Sequence, residues 1–132
     1  MTARDTVESL YAAFADSDGP ALAGLLDRSF TAWVSAGMPL GVGGPVPDPS
    51  TMLLNVWGAV FGAYDAAPYP EEYVEVSRSR FIVFGFYRGT CRSTGEVLDA
   101  AFVHDLTIRD GKIASLVQIT DTQQWHSALA AA

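Results

Sequence analysis

The stretch from residue 98 to residue 120 reads LDAAFVHDLTIRDGKIASLVQIT. Apolar and polar side chains alternate on either side of Asp110-Gly111, a dipeptide that strongly favours a two-residue hairpin turn. The pattern therefore predicts two antiparallel strands, from Leu98 to Arg109 and from Ile113 to Thr120. This hairpin is the part of the sequence that decides the fold class, because the remaining elements must pack against it.

One face of the first of these strands is apolar except for a single imidazole. Side chains alternate between the two faces of a strand, and this face consists of Phe102, His104, Leu106 and Ile108. We expect it to pack against helices. The final strand has apolar residues on both faces, with Leu116 on one and Val117 and Ile119 on the other. Apolar residues on the second face must also be shielded from water. A second copy of the chain is the simplest way to do this, so the sequence predicts a homodimer through the sheet.

Helical periodicity dominates the first half of the chain. Val7, Leu10, Tyr11 and Phe14 form one apolar stripe, which predicts an amphipathic helix. Thr2 and Asp5 have the spacing of a capping box at its start. Pro20 suits the first position of a second, short helix. A third helix is predicted from Asp48-Pro49 to about Ala63, with Tyr64 on its apolar side.

Strand-like segments connect and follow these helices. The sequence predicts strands at Phe30 to Ser35, Tyr73 to Ser77 and Phe81 to Cys91, in addition to the hairpin. Residues 37–49 are rich in glycine and proline and predict a long loop, which in a compact domain often covers a site. Helices first and consecutive antiparallel strands later indicate an α+β fold. We expect a single domain over residues 1–132.

Composition and charge limit the classes of partner. The chain has 132 residues, of which 49% are hydrophobic and 17% charged, with a formal net charge of −7. Nucleic acids and anionic membrane surfaces need a basic footprint, so neither is an expected partner. The N-terminal residues do not resemble a signal peptide. Cys91 is the only cysteine, which excludes an intrachain disulfide and predicts a cytoplasmic location.

The motifs and their order resemble the nuclear transport factor two-like superfamily, and within it the SnoaL-like polyketide cyclases. The resemblance covers nearly the whole chain. It rests on Tyr11-Ala12-Ala13-Phe14 with Asp18 and Leu22, on residues 85–89 (GFYRG), on Thr94-Gly95, on Phe102-Val103-His104, on Asp110-Gly111-Lys112-Ile113 and on Asp121-Thr122. It implies a cone-like, curved antiparallel sheet backed by N-terminal helices and enclosing a pocket. The same fold hosts enzymes and non-enzymes.

The resemblance also implies a catalytic pair. SnoaL-like cyclases have an acid/base carboxylate just after the last strand and a histidine in the strand before, and Asp121 and His104 occupy comparable positions. Ketosteroid isomerases share the fold and use a tyrosine on the first helix, which Tyr11 matches. Their aspartate base would fall near Val34 or Ser35 here. Neither can abstract a proton from carbon, which argues against steroid-type isomerisation.

His104 and Asp121 each have a structural alternative. An imidazole flanked by Phe102 and Leu106 points into an apolar interior, where it serves as a general acid, base or hydrogen-bond donor. Alternatively, it is a core histidine satisfied by a backbone carbonyl. Asp121 is either a desolvated carboxylate at the pocket or the N-cap of a final helix over Gln123 to Leu129.

Aromatic side chains are the expected lining of the pocket, although core packing is the alternative for each. An aromatic lining suits a small apolar or ring-containing ligand. The predicted substrate-binding residues are Tyr11, Trp33, Trp57, Phe61, Tyr87, Phe102 and Gln118. His104 and His126 are the only histidines and lack metal-binding spacing. We therefore expect neither a metal nor a cofactor.

The leading hypothesis is a cofactor-free enzyme that performs aldol cyclisation or isomerisation on a small carbonyl compound. Proton transfer next to a carbonyl needs only a base, a hydrogen-bond donor and a dry pocket. In this hypothesis Asp121 is the acid/base and His104 its partner. The alternatives are a binding module without turnover and a dimeric accessory domain whose pocket is vestigial.

Overall fold

The computed structural model describes residues 1–130, which form one curved, unclosed sheet with helices packed against it. The sheet has six strands in the order β2-β1-β6-β5-β4-β3. Neighbouring strands are antiparallel except β1 and β6, which are parallel. The strands are Leu26–Val34 (β1), Gly44–Val46 (β2), Tyr64–Ser77 (β3), Arg80–Cys91 (β4), Val97–Arg109 (β5) and Lys112–Thr120 (β6).

The first two helices, Ala3–Ala15 (α1) and Gly19–Leu25 (α2), are fixed by side-chain caps. Thr2 and Asp5 exchange the two hydrogen bonds of a capping box at the start of α1, as the sequence predicts. The Asp18 carboxylate accepts a hydrogen bond from the backbone N–H of Ala21 and caps α2. The caps satisfy backbone donors that have no partner inside each helix.

The third predicted helix is present, but its backbone changes from α-helical to π-helical and back along its length. It consists of Pro49–Thr51 (α3), a π-helical segment Met52–Trp57 and Gly58–Ala63 (α4). The backbone N–H of Gly58 donates to the carbonyl of Leu53, five residues earlier. A π-helical turn widens the helix, and such turns occur often at functional sites. Its buried residues are Met52, Val56 and Trp57.

β1 begins at Leu26 rather than Phe30, and two further strands differ from the sequence prediction. β3 begins at Tyr64 rather than Tyr73, so Tyr64 is a strand residue and not part of the third helix. The strand tolerates Pro68 and Pro70 because β3 is an edge strand that pairs only with β4. β2 lies inside the segment predicted as a loop, where its three residues pair with the end of β1.

The β5–β6 hairpin forms as predicted. Asp110 and Gly111 both have positive φ, 50° and 75°, as a tight hairpin turn requires, and Arg109 pairs with Lys112. The apolar face of β5 points inward, and Phe102 and His104 are both 2% exposed. The sequence thus predicts which β5 side chains enter the core.

The inner face of the sheet and the helices enclose the core, while the outer face retains apolar side chains. This outer apolar face includes Trp33, Phe84, Val117 and Ile119, which are 38–47% exposed. No helix among residues 1–130 has the length and hydropathy needed to cross a membrane. The architecture is α+β, with N-terminal helices on a curved sheet, as the sequence predicts.

Candidate functional site

His104 lies near the centre of the inner face of the sheet. It pairs with Val83 of β4 on one side and Gln118 of β6 on the other. Burial lowers its pKa from 6.5 to about 3, because the charged imidazolium would lose its hydration. The ring is therefore neutral at physiological pH, with one nitrogen donating and the other accepting.

Two tyrosines occupy the two ring nitrogens of His104. The phenolic oxygen of Tyr11, from α1, lies 2.7 Å from Nδ1, and that of Tyr87, from β4, lies 2.8 Å from Nε2. Burial raises the pKa of both phenols, so both are protonated. Phe102 stacks on the imidazole with a centroid separation of 4.0 Å. The result is a relay of three neutral hydrogen-bonding groups in an aromatic environment.

Gln118 fixes the environment of the Tyr87 hydroxyl. Its Oε1 accepts a hydrogen bond from the backbone N–H of Ser35 at 3.3 Å, and its Nε2 donates to the Tyr87 oxygen at 3.4 Å. The amide is thus held by the residue that follows β1 and turned towards β4. The Tyr87 oxygen already accepts one hydrogen bond before any contribution from His104.

Hydrogen-bond accounting favours one tautomer of His104. The Tyr11 hydroxyl has His104 as its only hydrogen-bond partner within residues 1–130, so a proton on Nδ1 would leave the Tyr11 hydrogen buried and unpaired. A buried hydroxyl hydrogen without an acceptor lowers the free energy of unfolding by about 1–3 kcal/mol. The favoured arrangement has Tyr11 donating to Nδ1 and Nε2–H donating to Tyr87. The Tyr87 oxygen then accepts twice. Its own hydrogen has no partner in the described part of the chain, as that of Tyr11 would have none in the other tautomer, but Tyr87 lines a cavity and Tyr11 does not, so only the Tyr87 hydrogen can be accepted by a molecule in the cavity.

The free hydroxyl of Tyr87 borders an enclosed apolar cavity. The cavity has about 20 Å³ of free volume, enough for roughly one water molecule. Its polar residues are Tyr87, His104 and Gln118. Its apolar lining residues are Leu10, Phe14, Val34, Met38, Met52, Val56, Trp57, Val60, Phe61, Leu116 and Trp125.

Solved structures share this architecture over almost the entire chain. An NTF2-like (nuclear transport factor two-like) protein from Burkholderia thailandensis is 24% identical, with a TM-score of 0.86 and 98% of each chain covered. TerC, co-crystallised with polyporic acid, is 25% identical, with a TM-score of 0.85 and coverage of 96% of this chain and 97% of TerC. The chain has the NTF2-like fold. The resemblance predicted from the sequence is thereby confirmed.

A third similar structure is that of IdmH from Streptomyces antibioticus, a candidate polyketide cyclase. It is 22% identical to this chain, with a TM-score of 0.81 and coverage of 98% of this chain and 99% of IdmH. No protein-family model matches the chain, and no curated protein matches it either. At these identities the likeness establishes the fold, and the chemistry must be argued from the site.

Four of the predicted substrate-binding residues line the cavity, namely Trp57, Phe61, Tyr87 and Gln118. Two others lie behind His104 rather than in the lining. Tyr11 holds Nδ1 of the imidazole, and Phe102 stacks on its ring. Their contact with a ligand would be indirect, through His104.

Trp33 does not reach the cavity. It lies on the outer face of the sheet and is 38% exposed, whereas its neighbour Val34 is 1% exposed and lines the cavity. Alternation in β1 places consecutive residues on opposite faces. The expectation that Trp33 shapes the pocket is therefore corrected: Val34 takes that position.

Asp121 and His104 are not brought together. Asp121 is exposed and follows the end of β6 with the same parity as Val117 and Ile119, which places it on the outer face. There it borders a shallow depression beside Phe84. Its backbone N–H donates to the Ala101 carbonyl, and its own carbonyl accepts from Gln124. The predicted acid/base pair is therefore absent from this structure, and tyrosines flank the imidazole instead.

The final helix, Thr122–Ala130 (α5), contributes a cavity residue that the sequence analysis missed. Trp125 is fully buried and lines the cavity. Its indole N–H donates to the Thr120 hydroxyl at 3.0 Å, and the Tyr64 hydroxyl donates to its backbone carbonyl at 2.8 Å. Trp125 is the one large aromatic residue of α5, and this feature of the sequence could have predicted that its side chain is buried. Within residues 1–130, no group of His, Cys, Asp and Glu is placed to hold a metal ion.

Proposed function

We propose that this chain is a cofactor-free enzyme that enolises a small ketone, as a step of a cyclisation or isomerisation. The observation that carries the proposal is the position of the Tyr87 hydroxyl, which borders an apolar cavity and lies 2.8 Å from Nε2 of His104 and 3.4 Å from Nε2 of Gln118. A preorganised donor in a dry site stabilises the negative charge that develops on a carbonyl oxygen.

The relay gives Tyr87 its role in the reaction. As the α C–H bond of the ketone breaks, its electron pair forms the enol double bond and charge moves to the oxygen, which accepts the Tyr87 hydrogen bond. The Nε2–H of His104 and the Gln118 amide both donate to the Tyr87 oxygen, and these bonds make its hydroxyl a better donor. Neutral His104 has a low pKa and acts by orienting Tyr87, not as the base.

The departing proton needs an acceptor, and the described lining of the cavity contains no carboxylate. The cavity as it stands has room for one water only, so we assign this role to a water molecule that enters with the substrate when the lining rearranges, and that carries the proton to the solvent as hydronium. Water is a weak base. The proposal therefore implies a substrate whose methylene is acidified by a second carbonyl or an aryl ring. An apolar, aromatic lining suits such compounds.

The fold relatives are compatible with this class of chemistry. IdmH is a candidate polyketide cyclase, and TerC was crystallised with polyporic acid. The alternative is a binding module without turnover. The small volume of the cavity favours a further alternative, an accessory domain whose pocket is vestigial, because a ring-containing ligand enters only if the lining rearranges.

Deuterium exchange tests the proposal. The probe is 2-tetralone, an aryl-activated ketone, in D2O at neutral pD, with loss of the benzylic proton signal followed by NMR. The wild-type protein should accelerate exchange over buffer, and Tyr87→Phe should reduce the acceleration about 100-fold, the usual effect of one oxyanion donor. The matched control is Tyr69→Phe, since Tyr69 is exposed on the outer face.

Each outcome has a definite meaning. Exchange no faster than in buffer, together with measurable binding of the ketone, supports the binding module. Equal acceleration by wild type and Tyr87→Phe would remove Tyr87 from the mechanism. Retained acceleration in Tyr69→Phe with loss in Tyr87→Phe would support the assignment.

A further inference from the structure

A second concavity, the outer groove, lies between α2, the π-helical segment and the start of β3. Its free volume is about 530 Å³, compared with about 20 Å³ for the cavity beside Tyr87. Leu22, Leu53 and Leu54 are among its apolar lining residues. A volume of this size is in the range of pockets that hold small organic ligands.

One cation lies at this groove. Arg92 is the only lysine or arginine in the lining, and Asp65 is the only carboxylate. Nε and Nη2 of Arg92 donate to the carbonyl of Phe61, at 3.3 and 3.1 Å. These bonds hold the guanidinium in place. Within residues 1–130, Arg92 forms no ion pair, so its charge is available to a ligand.

The outer groove and the inner cavity share an aromatic wall. Phe14, Trp57 and Phe61 line both, and we call these three residues the aromatic partition. Phe14 contacts the other two rings, with centroid separations of 5.0 Å to Trp57 and 5.6 Å to Phe61. Trp57 is the last residue of the π-helical segment. Displacement of these side chains would join the two spaces.

We propose that the outer groove binds an amphipathic organic anion, with the apolar body against the aromatic partition and the anionic group at Arg92. A guanidinium is well suited to a carboxylate, which it binds through two parallel N–H bonds. The net charge of the chain is −7, which repels anions. Selectivity for an anion must therefore come from a local cation such as Arg92. The ligand class extends the proposed function: the same molecule would carry the ketone at its other end.

Two fluorescent probes that share an aromatic skeleton but differ in charge isolate the contribution of the anionic group to binding. 8-Anilinonaphthalene-1-sulfonate is anionic, and N-phenyl-1-naphthylamine is its uncharged counterpart. We expect Arg92→Met to raise the Kd of the anionic probe about fivefold, a typical loss for one partly exposed charge pair. The Kd of the neutral probe should change by less than twofold. Arg92→Lys, which keeps the charge, should retain most of the affinity for the anion.

Control variants separate the groove from nonspecific binding. Arg78 is exposed in the turn between β3 and β4, so Arg78→Met should leave both Kd values unchanged. Leu54 is 73% exposed at the groove, and Leu54→Glu should weaken the anionic probe more than the neutral one. Equal changes for the two probes in Arg92→Met, or equal effects of Arg92→Met and Arg78→Met, would overturn the proposal.

The test is independent of turnover. Tyr87→Phe should leave binding of both probes in the groove unchanged, because Tyr87 lines the inner cavity alone. A wild-type protein that binds the anionic probe but does not accelerate ketone exchange would therefore count against the proposed function only. Intact exchange with no effect of Arg92→Met would count against the groove only. Thermal unfolding of Arg92→Met checks that loss of the bond to Phe61 has not unfolded α4.

Discussion

The phenolic oxygen of Tyr11 and the Nδ1 atom of His104 lie 2.7 Å apart, although 93 residues separate them in the sequence. The bond joins α1 to the centre of the sheet, and its direction is coupled to which nitrogen of the imidazole carries the proton. With Tyr11 donating to Nδ1, the hydrogen belongs on Nε2, which faces Tyr87. The orientation of the site therefore depends on a residue that does not line the cavity.

This relationship predicts the tautomer of His104. In a ¹⁵N-labelled sample at pH 7, we expect the chemical shifts of His104 to report a protonated Nε2 and an unprotonated Nδ1. Tyr11→Phe removes the donor to Nδ1 and should allow the other tautomer to appear. His126, whose Nε2 lies 2.7 Å from the Gly37 carbonyl oxygen and donates to it, provides an internal reference for a protonated Nε2. A wild-type spectrum with the proton on Nδ1 would contradict the hydrogen-bond accounting.

Burial of neutral His104 predicts a loss of stability in acid. Its pKa is about 3 in the folded protein and 6.5 in the reference state, so below pH 6.5 the unfolded chain binds a proton that the folded chain does not. The free energy of unfolding should fall as the pH drops from 6.5 towards 3. Between pH 7.5 and 5 this contribution is about 2 kcal/mol.

Chemical denaturation at the two pH values measures this loss, and His104→Gln provides the control. The glutamine side chain can still donate and accept but does not titrate, so the variant should lose about 2 kcal/mol less than wild type over the same interval. Parallel losses in both proteins would mean that His104 is already charged or solvated in the folded state.

Tyr64 should anchor α5 over the cavity. Its hydroxyl donates to the carbonyl of Trp125 at 2.8 Å, and both residues are fully buried. Tyr64→Phe removes this hydrogen bond and should lower the free energy of unfolding by about 1 kcal/mol. Tyr69→Phe, at an exposed position, should change it by less than about 0.5 kcal/mol. Urea denaturation distinguishes the two.

Two glycines should respond in opposite directions to alanine. A Cβ on Gly85 would lie 2.2 Å from the carbonyl oxygen of Tyr69 and 2.8 Å from Phe102, so Gly85→Ala forces the sheet to shift. We expect it to cost more than about 2 kcal/mol of stability. A Cβ on Gly62, in α4, meets nothing within 4 Å. Gly62→Ala should stabilise the fold by up to about 1 kcal/mol, and thermal unfolding compares the two.

The outer apolar face leads us to expect a homodimer through the sheet. Phe84 and Val117 are 41% and 38% exposed on neighbouring parts of that face. Val117→Glu would bury a charge in such an interface and should convert the dimer to monomer in sedimentation equilibrium. Leu54→Glu, on the helical side, should leave the dimer intact. A wild-type protein that is monomeric at all concentrations would contradict this expectation.

The sequence predicted those parts of the fold in which local pattern and tertiary position agree. The Asp110-Gly111 turn and the inward face of β5 followed from backbone preference and alternation alone. The start of β3 did not, because Pro68 and Pro70 argue against a strand unless it is known to lie at an edge. That information belongs to the sheet order and is not in the segment itself.

The candidate site was predicted only in part, again because the missing information lies in contacts between distant segments. The period of two shows that Trp33 and Val34 lie on opposite faces, but it does not say which face is inside. For the same reason, alternation alone does not show that Asp121 lies on the outer face of the sheet. The bonds of His104 to Tyr11 and Tyr87 join three elements distant in sequence, and no local pattern reports such a contact.

The parallel pairing of β1 with β6 has a consequence for folding kinetics. Ala32 pairs with Leu116, so the first strand cannot take its place until the last strand exists. Loop closure over such a separation is slow compared with hairpin formation. Val34 and Leu116 both line the cavity. A chain still emerging from the ribosome therefore has no cavity, and ligand recognition begins only once synthesis of the sheet is complete.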